Sequence, residues 1–348
     1  MSVLDDLKRS STCDPSGMLG VALGLPRQVR EGWALGRAAK VPRLPAAPEH
    51  LVICGMGGSA IGGDLLSGYL APTCPIPIVV VRGYEVPKFV GPRSVVIAAS
   101  YSGATEETLA AVTQAERAGA TVFAVTSGGQ LARAKHAGVV VPAGLAPRAA
   151  LGYLMFPALA ALERWELAGP CAKDVEETAG TLEGIAAECG PDVPAVRNPA
   201  KRLAEELAGR VPAVYAASPG IEGAARRWKC QINENSKTLA TWNVFPELNH
   251  NETVGWGAPA TLAGHFAVVV LLEGTEPAHL MRRIGLTSDL ALGPAAGVHE
   301  VRARGRSRLA RLFSLVFMGD LVSIYLAYLR GVDPTPVEII DAIKRGLR

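Results

Sequence analysis

The chain has 348 residues, of which 49% are hydrophobic, and this is enough for about two domains with sizeable cores. Its formal net charge is +3 without a long basic or acidic run, which argues against nucleic acid as the main partner. Six cysteines lie scattered without a CxxC pair, so we expect reduced thiols rather than disulfides or a metal site. The N-terminus, MSVLDDLKRS, carries acids where a signal peptide would be basic and then apolar, which indicates a cytoplasmic protein.

The first part of the chain predicts one parallel sheet. Helical patterns with proline-rich breaks fill residues 1–48. Short, mostly apolar strands separated by helical patterns are then predicted at Leu51–Cys54, Ile78–Val81, Ser94–Ala99, Thr121–Val125 and Gly138–Val141. This alternation is typical of a doubly wound α/β fold with helices on both faces of the sheet. An apolar helix over Leu151–Leu167 and a more charged helical connection over 171–208 follow.

The second part of the chain repeats this order. Strands are predicted at Ala213–Ala217, Phe266–Leu272 and Val298–Arg302, with helices up to about Lys237, near 277–290 and over Leu309–Leu329. Asp333 as the N-cap and Pro334 at the first helical position predict the start of a final helix that runs to the last residue. We therefore predict an α/β protein with two doubly wound subdomains, over 1–170 and 171–348, in which parallel sheets are flanked by helices.

The stretch Leu312–Leu329 is apolar enough to resemble a membrane span. Asp320 lies near its centre, where a charge costs about 2.5–3.5 kcal/mol on insertion scales. A helix that is apolar on most faces is also what a buried core helix looks like. We therefore predict a core helix here and no membrane partner.

A glycine-rich loop, GMGGSA over 55–60, follows the first strand and opens a helix. Glycines let the backbone approach an anion, and free N–H groups at the helix N-terminus attract it. The spacing also fits the GxGxxA dinucleotide fingerprint, so an NADP-dependent oxidoreductase is one alternative. The acid that this fingerprint requires is doubtful, because the second strand ends in Arg82. No lysine follows the glycines, so the loop is not a P-loop.

The loop after the third strand, SYSGAT, carries the hydroxyls of Ser100, Ser102 and Thr105. Because the carboxyl ends of parallel strands meet at one edge of a sheet, we expect these hydroxyls and that of Ser59 to surround one phosphate. In the alternative interpretation, Ser100 or Ser102 caps the next helix, and the two acids after Thr105 complement its dipole.

The most polar part of the chain is the stretch Trp228–Trp256, which mixes five Asn, three Glu and one His with three Trp and one Phe. Amides and acids among aromatics suit a partly buried polar pocket, because buried polar groups need partners. Glu234 and His250 are its candidate proton-transfer groups. The alternatives are a polar loop capped by core tryptophans and, for Glu234, a helix-end ion pair with Lys237.

These motifs, together with PRAALGY (147–153), NENSK (233–237), FPELNHNETVGW (245–256) and the C-terminal DPTPVEII, resemble the sugar isomerase (SIS) family, specifically its bifunctional phosphoglucose/phosphomannose isomerases. The matching pieces span nearly the whole chain in the family's order. The serine loop alone indicates only an SIS domain, which also occurs in regulators that sense sugar phosphates. NENSK followed by ELNHNE is much more specific, and the 50 residues before the first strand are short and proline-broken for a fused DNA-binding module.

The resemblance implies two SIS subdomains and a dimeric enzyme that works without a metal or another cofactor. The reaction it implies is the interconversion of glucose 6-phosphate, and of mannose 6-phosphate, with fructose 6-phosphate. By matching position, the substrate-binding residues are Gly57, Gly58, Ser59, Ser100, Ser102 and Thr105, with the four hydroxyls on the phosphate. The resemblance also makes Glu234 the base and assigns ring opening to His250 of the neighbouring subunit.

Three further residues follow from the resemblance. Arg148 would stabilise the enediolate oxygens, Lys344 would approach the substrate from the last helix, and Thr335 falls where a threonine is linked to accepting mannose 6-phosphate. From the residues alone, a solvated surface arginine explains Arg148 nearly as well, and Lys344 complements a helix dipole. Ala104 departs from the family's SYSGNTEE pattern, which has Asn there, but this change removes no phosphate hydroxyl. The sequence does not indicate which aldose phosphate is preferred.

Overall fold

The computed structural model describes residues 2–134, 136–257 and 259–346. In this part of the chain the strands form two parallel sheets, of five and four strands, flanked by helices, which confirms the predicted fold class. The strands are β1 (His50–Cys54), β2 (Ile78–Val81), β3 (Ser94–Ala99), β4 (Thr121–Thr126), β5 (Ala137–Val140), β6 (Val211–Ala216), β7 (Thr241–Val244), β8 (Phe266–Leu272) and β9 (Gly297–Arg302).

The helices surround both sheets and connect them. They are α1 (Leu7–Cys13), α2 (Met18–Leu23), α3 (Leu25–Ala38), α4 (Gly57–Leu70), α5 (Glu106–Arg117), α6 (Gly129–Arg133), α7 (Leu151–Arg164), α8 (Ala172–Cys189), α9 (Pro199–Leu207), α10 (Glu222–Ser236), α11 (Leu248–Asn251), α12 (Ala260–Ala263), α13 (Ala278–Leu290), α14 (Arg308–Arg330) and α15 (Glu338–Gly346). Because α8 packs against both α3 and α14, helices from the two parts of the chain share one core. The subdomain division at 170/171 stays a prediction.

The first sheet has the strand order β2-β1-β3-β4-β5, with every pair parallel. The order reverses between β1 and β3, whose pairing places Cys54 opposite Ala98. In open parallel sheets ligands bind at such a reversal, outside the carboxyl ends of the two strands. The glycine loop follows β1 and the serine loop follows β3, so both predicted loops flank this crevice.

The second sheet has the strand order β7-β6-β8-β9 and is also parallel throughout. Sequence reasoning missed β7, the edge strand with the sequence TWNV. None of its residues is fully buried, so it lacks the apolar run by which the buried strands were recognised. Its position places the stretch that carries His250 directly after an edge strand.

Helix α14 is the central helix of the core, as the sequence predicts. It is long and apolar enough to cross a membrane, but 94% of its apolar window is buried inside the protein. A Cβ atom added at Gly319 would lie 2.4 Å from Nε1 of Trp228, so the absence of a side chain lets α10 pack closely against α14. The charge of Asp320 is met by Arg227 of α10 rather than by solvent.

The start of the last helix was predicted wrongly. Helix α15 begins at Glu338, whereas Asp333 and Pro334 were assigned to its N-cap and first position. The Asp333 carboxylate instead accepts the backbone N–H of Thr335 at 2.8 Å and closes a local turn. Pro336 follows and disfavours helical geometry at Thr335, so a helix that begins at Pro334 is unfavourable. The last two residues of the predicted helix lie outside the described residues.

Candidate active site

The glycine loop brings the N-terminus of α4 close to the turn that carries Arg148. Gly57 has a φ of +50°, a conformation that side chains disfavour. A Cβ atom at Gly58 would lie 2.8 Å from the Cα of Arg148, so only glycine lets α4 approach the turn that carries this arginine. The N-cap residue Met56 makes no side-chain hydrogen bond to the helix. The first N–H groups of α4 are therefore available to an anion.

The serine loop lies against the glycine loop and adds hydroxyl groups. The Ser59 hydroxyl oxygen accepts the backbone N–H of Tyr101 at 3.2 Å, which joins the two loops. Ser100 Oγ lies 2.9 Å from Thr105 Oγ1. Ser59 and Ser100 are buried, Thr105 is half-buried and Ser102 is exposed. The two loops thus present hydroxyl donors from the buried end of the crevice to its mouth.

The helix-capping interpretation of the serines is wrong. Thr105 is the N-cap residue of α5, and its side chain makes no capping hydrogen bond. The Ser102 hydroxyl accepts the N–H of Ala104 at 3.3 Å, within the loop, and the Ser100 hydroxyl contacts Thr105. The N-terminus of α5, like that of α4, is consequently left without a side-chain cap. The Ala104 side chain is exposed.

Arg148 is buried, with 5% of its surface exposed, so the solvated-arginine alternative is wrong. Its Nε–H donates to the Asn235 side-chain oxygen at 2.8 Å, and its Nη2 donates to the carbonyls of Pro334 and Thr335 at 2.7 and 2.8 Å. Its Nη1 lies 3.7 Å from a carboxylate oxygen of Glu234. Burial lowers the pKa of Arg148, and the charge of Glu234 opposes this shift. One guanidinium nitrogen is thus left to face the carboxylate.

Glu234 lies in the last turn of α10, and 27% of its side chain is exposed. The predicted alternative, an ion pair with Lys237, is not formed. The Lys237 ammonium donates instead to the backbone carbonyls of Glu234 and Asn235, at 2.7 and 3.3 Å. Among the described residues, the Glu234 carboxylate pairs with Arg148. A carboxylate that is partly exposed and lies beside a buried cation can exchange a proton with a bound molecule.

A buried polar network that sequence reasoning missed holds Arg148 in place. Arg227 donates to both carboxylate oxygens of Asp320, at 2.9 and 2.8 Å, and to the backbone carbonyl of Arg148 at 2.9 Å. Gln231 donates to Asp320 at 2.9 Å, and Asn235 donates to Ser323 at 2.9 Å.

Two signals in the sequence point to this network. Arg227, Gln231 and Asn235 recur at every fourth position, which places them on one face of a helix. Asp320 is a charge in the middle of an otherwise apolar helix, and such a charge needs a buried partner. Polar residues on two facing helices were therefore to be expected.

His250 and Lys344 lie on the surface, in α11 and α15. In the described part of the chain, no hydrogen bond or ion pair joins either residue to Glu234, Arg148 or the serine loop. Thr335 does lie in the site, because its carbonyl accepts from Arg148. Its hydroxyl is buried without a protein partner. One copy of the chain thus brings together the hydroxyls, Arg148, Glu234 and Thr335, but not His250 or Lys344.

The segment that follows His250 is anchored to the second sheet by Glu252. Its carboxylate accepts the Tyr215 hydroxyl of β6, and the Asn243 side chain of β7 donates to it at 2.5 Å. Trp256 donates to the Tyr215 hydroxyl at 3.1 Å. Burial raises the pKa of Tyr215, and the neighbouring Glu252 carboxylate adds to this effect. The position of His250 relative to the sheet is therefore well defined although its ring is exposed.

The two parallel sheets and the paired loops define the class of protein, an α/β sugar isomerase (SIS) fold. Residues 196–347 match the family model described as the bacterial phospho-glucose isomerase C-terminal SIS domain. The crystal structure of a glucose-6-phosphate isomerase like protein from Thermus thermophilus shares this fold, with a TM-score of 0.66 at 23% sequence identity. The match covers 98% of this chain and 100% of that one.

Sequence similarity then identifies the family. The bifunctional phosphoglucose/phosphomannose isomerase of Caldicellulosiruptor bescii is 42% identical over 327 residues, which are 93% of this chain and 96% of that protein. The enzyme of the same name from Thermoplasma acidophilum is 37% identical over 301 residues, 86% of this chain and 90% of that protein. The chain belongs to the family of bifunctional phosphoglucose/phosphomannose isomerases.

Proposed function

We propose that this protein interconverts glucose 6-phosphate and mannose 6-phosphate with fructose 6-phosphate in the cytoplasm. Its membership of the isomerase family supports this reaction. The observation that carries the proposal is the placement of Glu234 3.7 Å from Nη1 of Arg148, beside a crevice with two uncapped helix N-termini. This arrangement supplies a base, a fixed positive charge and an anion site, which are the three parts that the reaction needs.

The phosphate binds at the loops after β1 and β3. Backbone N–H groups of Gly57 and Gly58 and the partial positive charge of α4 and α5 attract the dianion. The hydroxyls of the four residues predicted from the sequence then donate to its oxygens, and these are Ser59, Ser100, Ser102 and Thr105. Because these donors carry no charge, phosphate affinity depends on the geometry of the two loops.

Glu234 transfers the proton that isomerisation requires. Moving a carbonyl between C1 and C2 of the sugar needs a base that removes a proton from one carbon and returns it to the other, through an enediolate. The negative charge that develops on the two oxygens is stabilised by Nη1 of Arg148, the guanidinium nitrogen that faces Glu234. Thr335, whose hydroxyl has no protein partner, lies beside the same guanidinium and can bind the hydroxyl at C2 in either epimer. Metal ions and other cofactors have no part in this mechanism.

His250 opens the sugar ring, and it does so from the second subunit of a homodimer. Its exposed ring and its lack of contact with Glu234 within one chain support this assignment. The anchoring of Glu252 to β6 and β7 holds the His250 segment in a fixed position from which it can reach a neighbour. Lys344, also exposed, approaches the substrate once α15 is packed in the dimer.

The proposal is tested by incubating the purified protein with each aldose phosphate and measuring fructose 6-phosphate with a coupled assay. We expect turnover of both substrates. Binding without turnover would favour the sugar-phosphate sensor instead. A fall in NADPH absorbance on addition of the sugar phosphate would favour the oxidoreductase. Arg82 directly follows β2, where the dinucleotide fingerprint requires an acid, and it pairs with Asp64 of α4.

Removing one phosphate hydroxyl is expected to weaken substrate binding. Ser59→Ala and Ser102→Ala should each raise KM for fructose 6-phosphate by about tenfold or more, the loss for one hydrogen bond to a charged group. Steady-state kinetics measure this change. Ser67→Ala, which alters the same helix α4 away from its N-terminus, is the control and should leave KM unchanged. Unchanged KM in both loop variants would refute the phosphate assignment.

Mixed dimers are expected to regain activity that neither parent has. When His250→Ala and Glu234→Gln chains are co-expressed with different tags, each hybrid contains one site with both wild-type residues. Turnover by the doubly purified hybrid measures this recovery, with each parental dimer as the control. Hybrids of confirmed composition that remain inactive would show that the two residues act within one chain.

A further inference from the structure

Lys237 adopts a backbone conformation that is unusual for its residue type. It follows α10 with φ +53° and ψ +32°, in the left-handed region. Glycine is the usual residue at this position after a helix, because a Cβ atom makes the conformation unfavourable. Among the described residues, Glu166 after α7 is the other non-glycine residue with a positive φ. Lysine therefore occupies this helix end against a backbone preference for glycine.

Arg330 of α14 caps the final carbonyl group of α10. Arg330 of α14 donates to the carbonyl of Ser236 at 2.8 Å, to the carbonyl of Lys237, and to the Thr238 hydroxyl at 3.0 Å. Of the last carbonyl groups of α10, these contacts satisfy that of Ser236, and the carbonyls of Glu234 and Asn235 need another donor. The contacts of the Lys237 ammonium therefore indicate what this side chain does.

The Lys237 ammonium joins α10 to the C-terminal segment. It donates to the carbonyls of Glu234 and Asn235, and at 3.2 Å to the carbonyl of Pro334. The same Pro334 carbonyl accepts from Nη2 of Arg148 at 2.7 Å. Two cations thus converge on one backbone oxygen. Burial lowers the pKa of Lys237, and the nearby charge of Arg148 adds to this effect.

These contacts attach the segment that precedes the last helix. Helix α15, which follows, has no buried residue, and its Ile339 and Ile343 are 78% and 60% exposed. The segment Asp333–Thr335 is held by Arg148, Lys237 and its own Asx turn. Thr335 in this segment carries the buried hydroxyl that has no protein partner. A small displacement of the segment would move that hydroxyl relative to Arg148 and Glu234.

We infer that Lys237 is a positioning residue that holds Pro334 and Thr335 against Arg148. In this way it sets the ratio of activity toward the two epimeric substrates, mannose 6-phosphate and glucose 6-phosphate. This inference rests on the proposed function. The two aldoses differ only in configuration at C2, the carbon from which Glu234 removes a proton. The partner of the C2 hydroxyl must therefore be held at a defined position, and the ammonium of Lys237 supplies one of the bonds that hold its segment.

The test is Lys237→Gly, with Glu166→Gly as the matched control. Both substitutions place glycine in the left-handed conformation after a helix, which relieves the backbone strain of a Cβ atom there. Glu166 is exposed and follows the C-terminus of α7, at the opposite end of this helix from Arg148. We expect Glu166→Gly to leave kinetics unchanged. Lys237→Gly should change the ratio of kcat/KM for mannose 6-phosphate to that for glucose 6-phosphate on the order of tenfold, the effect of one charged hydrogen bond.

Amide hydrogen exchange gives a readout that does not depend on activity. In Lys237→Gly we expect exchange in peptides covering 332–337 to become on the order of tenfold faster, because the segment loses one of its two cationic contacts, and no change in Glu166→Gly. Exchange and epimer ratio both equal to wild type would overturn the inference. Faster exchange with an unchanged ratio would overturn the role in specificity. A wild-type protein without isomerase activity would refute the proposed function, while the exchange comparison would still test the attachment.

Discussion

Glu234→Gln is expected to lower kcat by about 10²–10⁴-fold with little change in KM, the usual consequence of removing a general base. Glutamine keeps the shape of the side chain and its contact with Arg148 but cannot accept the C2 proton. The phosphate loops are untouched, so binding should persist. Turnover of fructose 6-phosphate with the coupled assay measures the change. Glu222→Gln in the first turn of the same helix α10 is the control, and it should have wild-type kinetics.

The same variant tests the proton transfer directly. In D₂O the wild-type protein should place deuterium at C2 of the aldose, because the proton held by Glu234 can exchange with solvent before it returns. Glu234→Gln should abolish this exchange along with turnover, as seen by proton NMR of the recovered sugar phosphate. Near-normal turnover by Glu234→Gln, with circular dichroism showing an intact fold, would refute the mechanism.

Asp320→Asn is expected to lower the free energy of unfolding by about 3–5 kcal/mol, because it leaves Arg227 charged and buried without its partner. The pair is almost fully enclosed, with 3% and 6% of the two side chains exposed. Urea unfolding followed by tryptophan fluorescence measures the loss, since Trp228 donates to the carbonyl of Leu315 in α14. Asp289→Asn, an exposed position on α13, is the control.

A double substitution separates the stability of this pair from its effect on the site. Arg227→Met with Asp320→Leu removes both charges, and such replacements restore much of the stability that a single change costs. The double variant should still have a lowered kcat, because Arg227 no longer donates to the backbone carbonyl of Arg148. Stability close to wild type in Asp320→Asn would show that solvent or another group compensates for the lost carboxylate.

Local patterns were sufficient for most of the fold. The buried strands of the first sheet were predicted because each is a continuous apolar run between turn residues, as in Ser94–Ala99. Strand β7 was missed because an edge strand that is mostly half-buried carries no such run. The start of α15 was misplaced because Asp333 serves equally as an N-cap or in an Asx turn, and only the contact of Arg148 with Pro334 and Thr335 decides between them.

By itself, the sequence determined the fold class and the position of the two loops that we propose bind the phosphate, because glycine, serine and apolar strand patterns act over a few residues. Only the tertiary structure decided the surroundings of the reactive groups. Arg148 and Asn235, which lie 87 positions apart, meet because α10 packs beside the turn that carries the arginine. The pairing of Glu234 with Arg148 instead of Lys237 depends on the same packing. Contacts between residues that are distant along the chain leave no local pattern, so the packed helices are needed to reveal them.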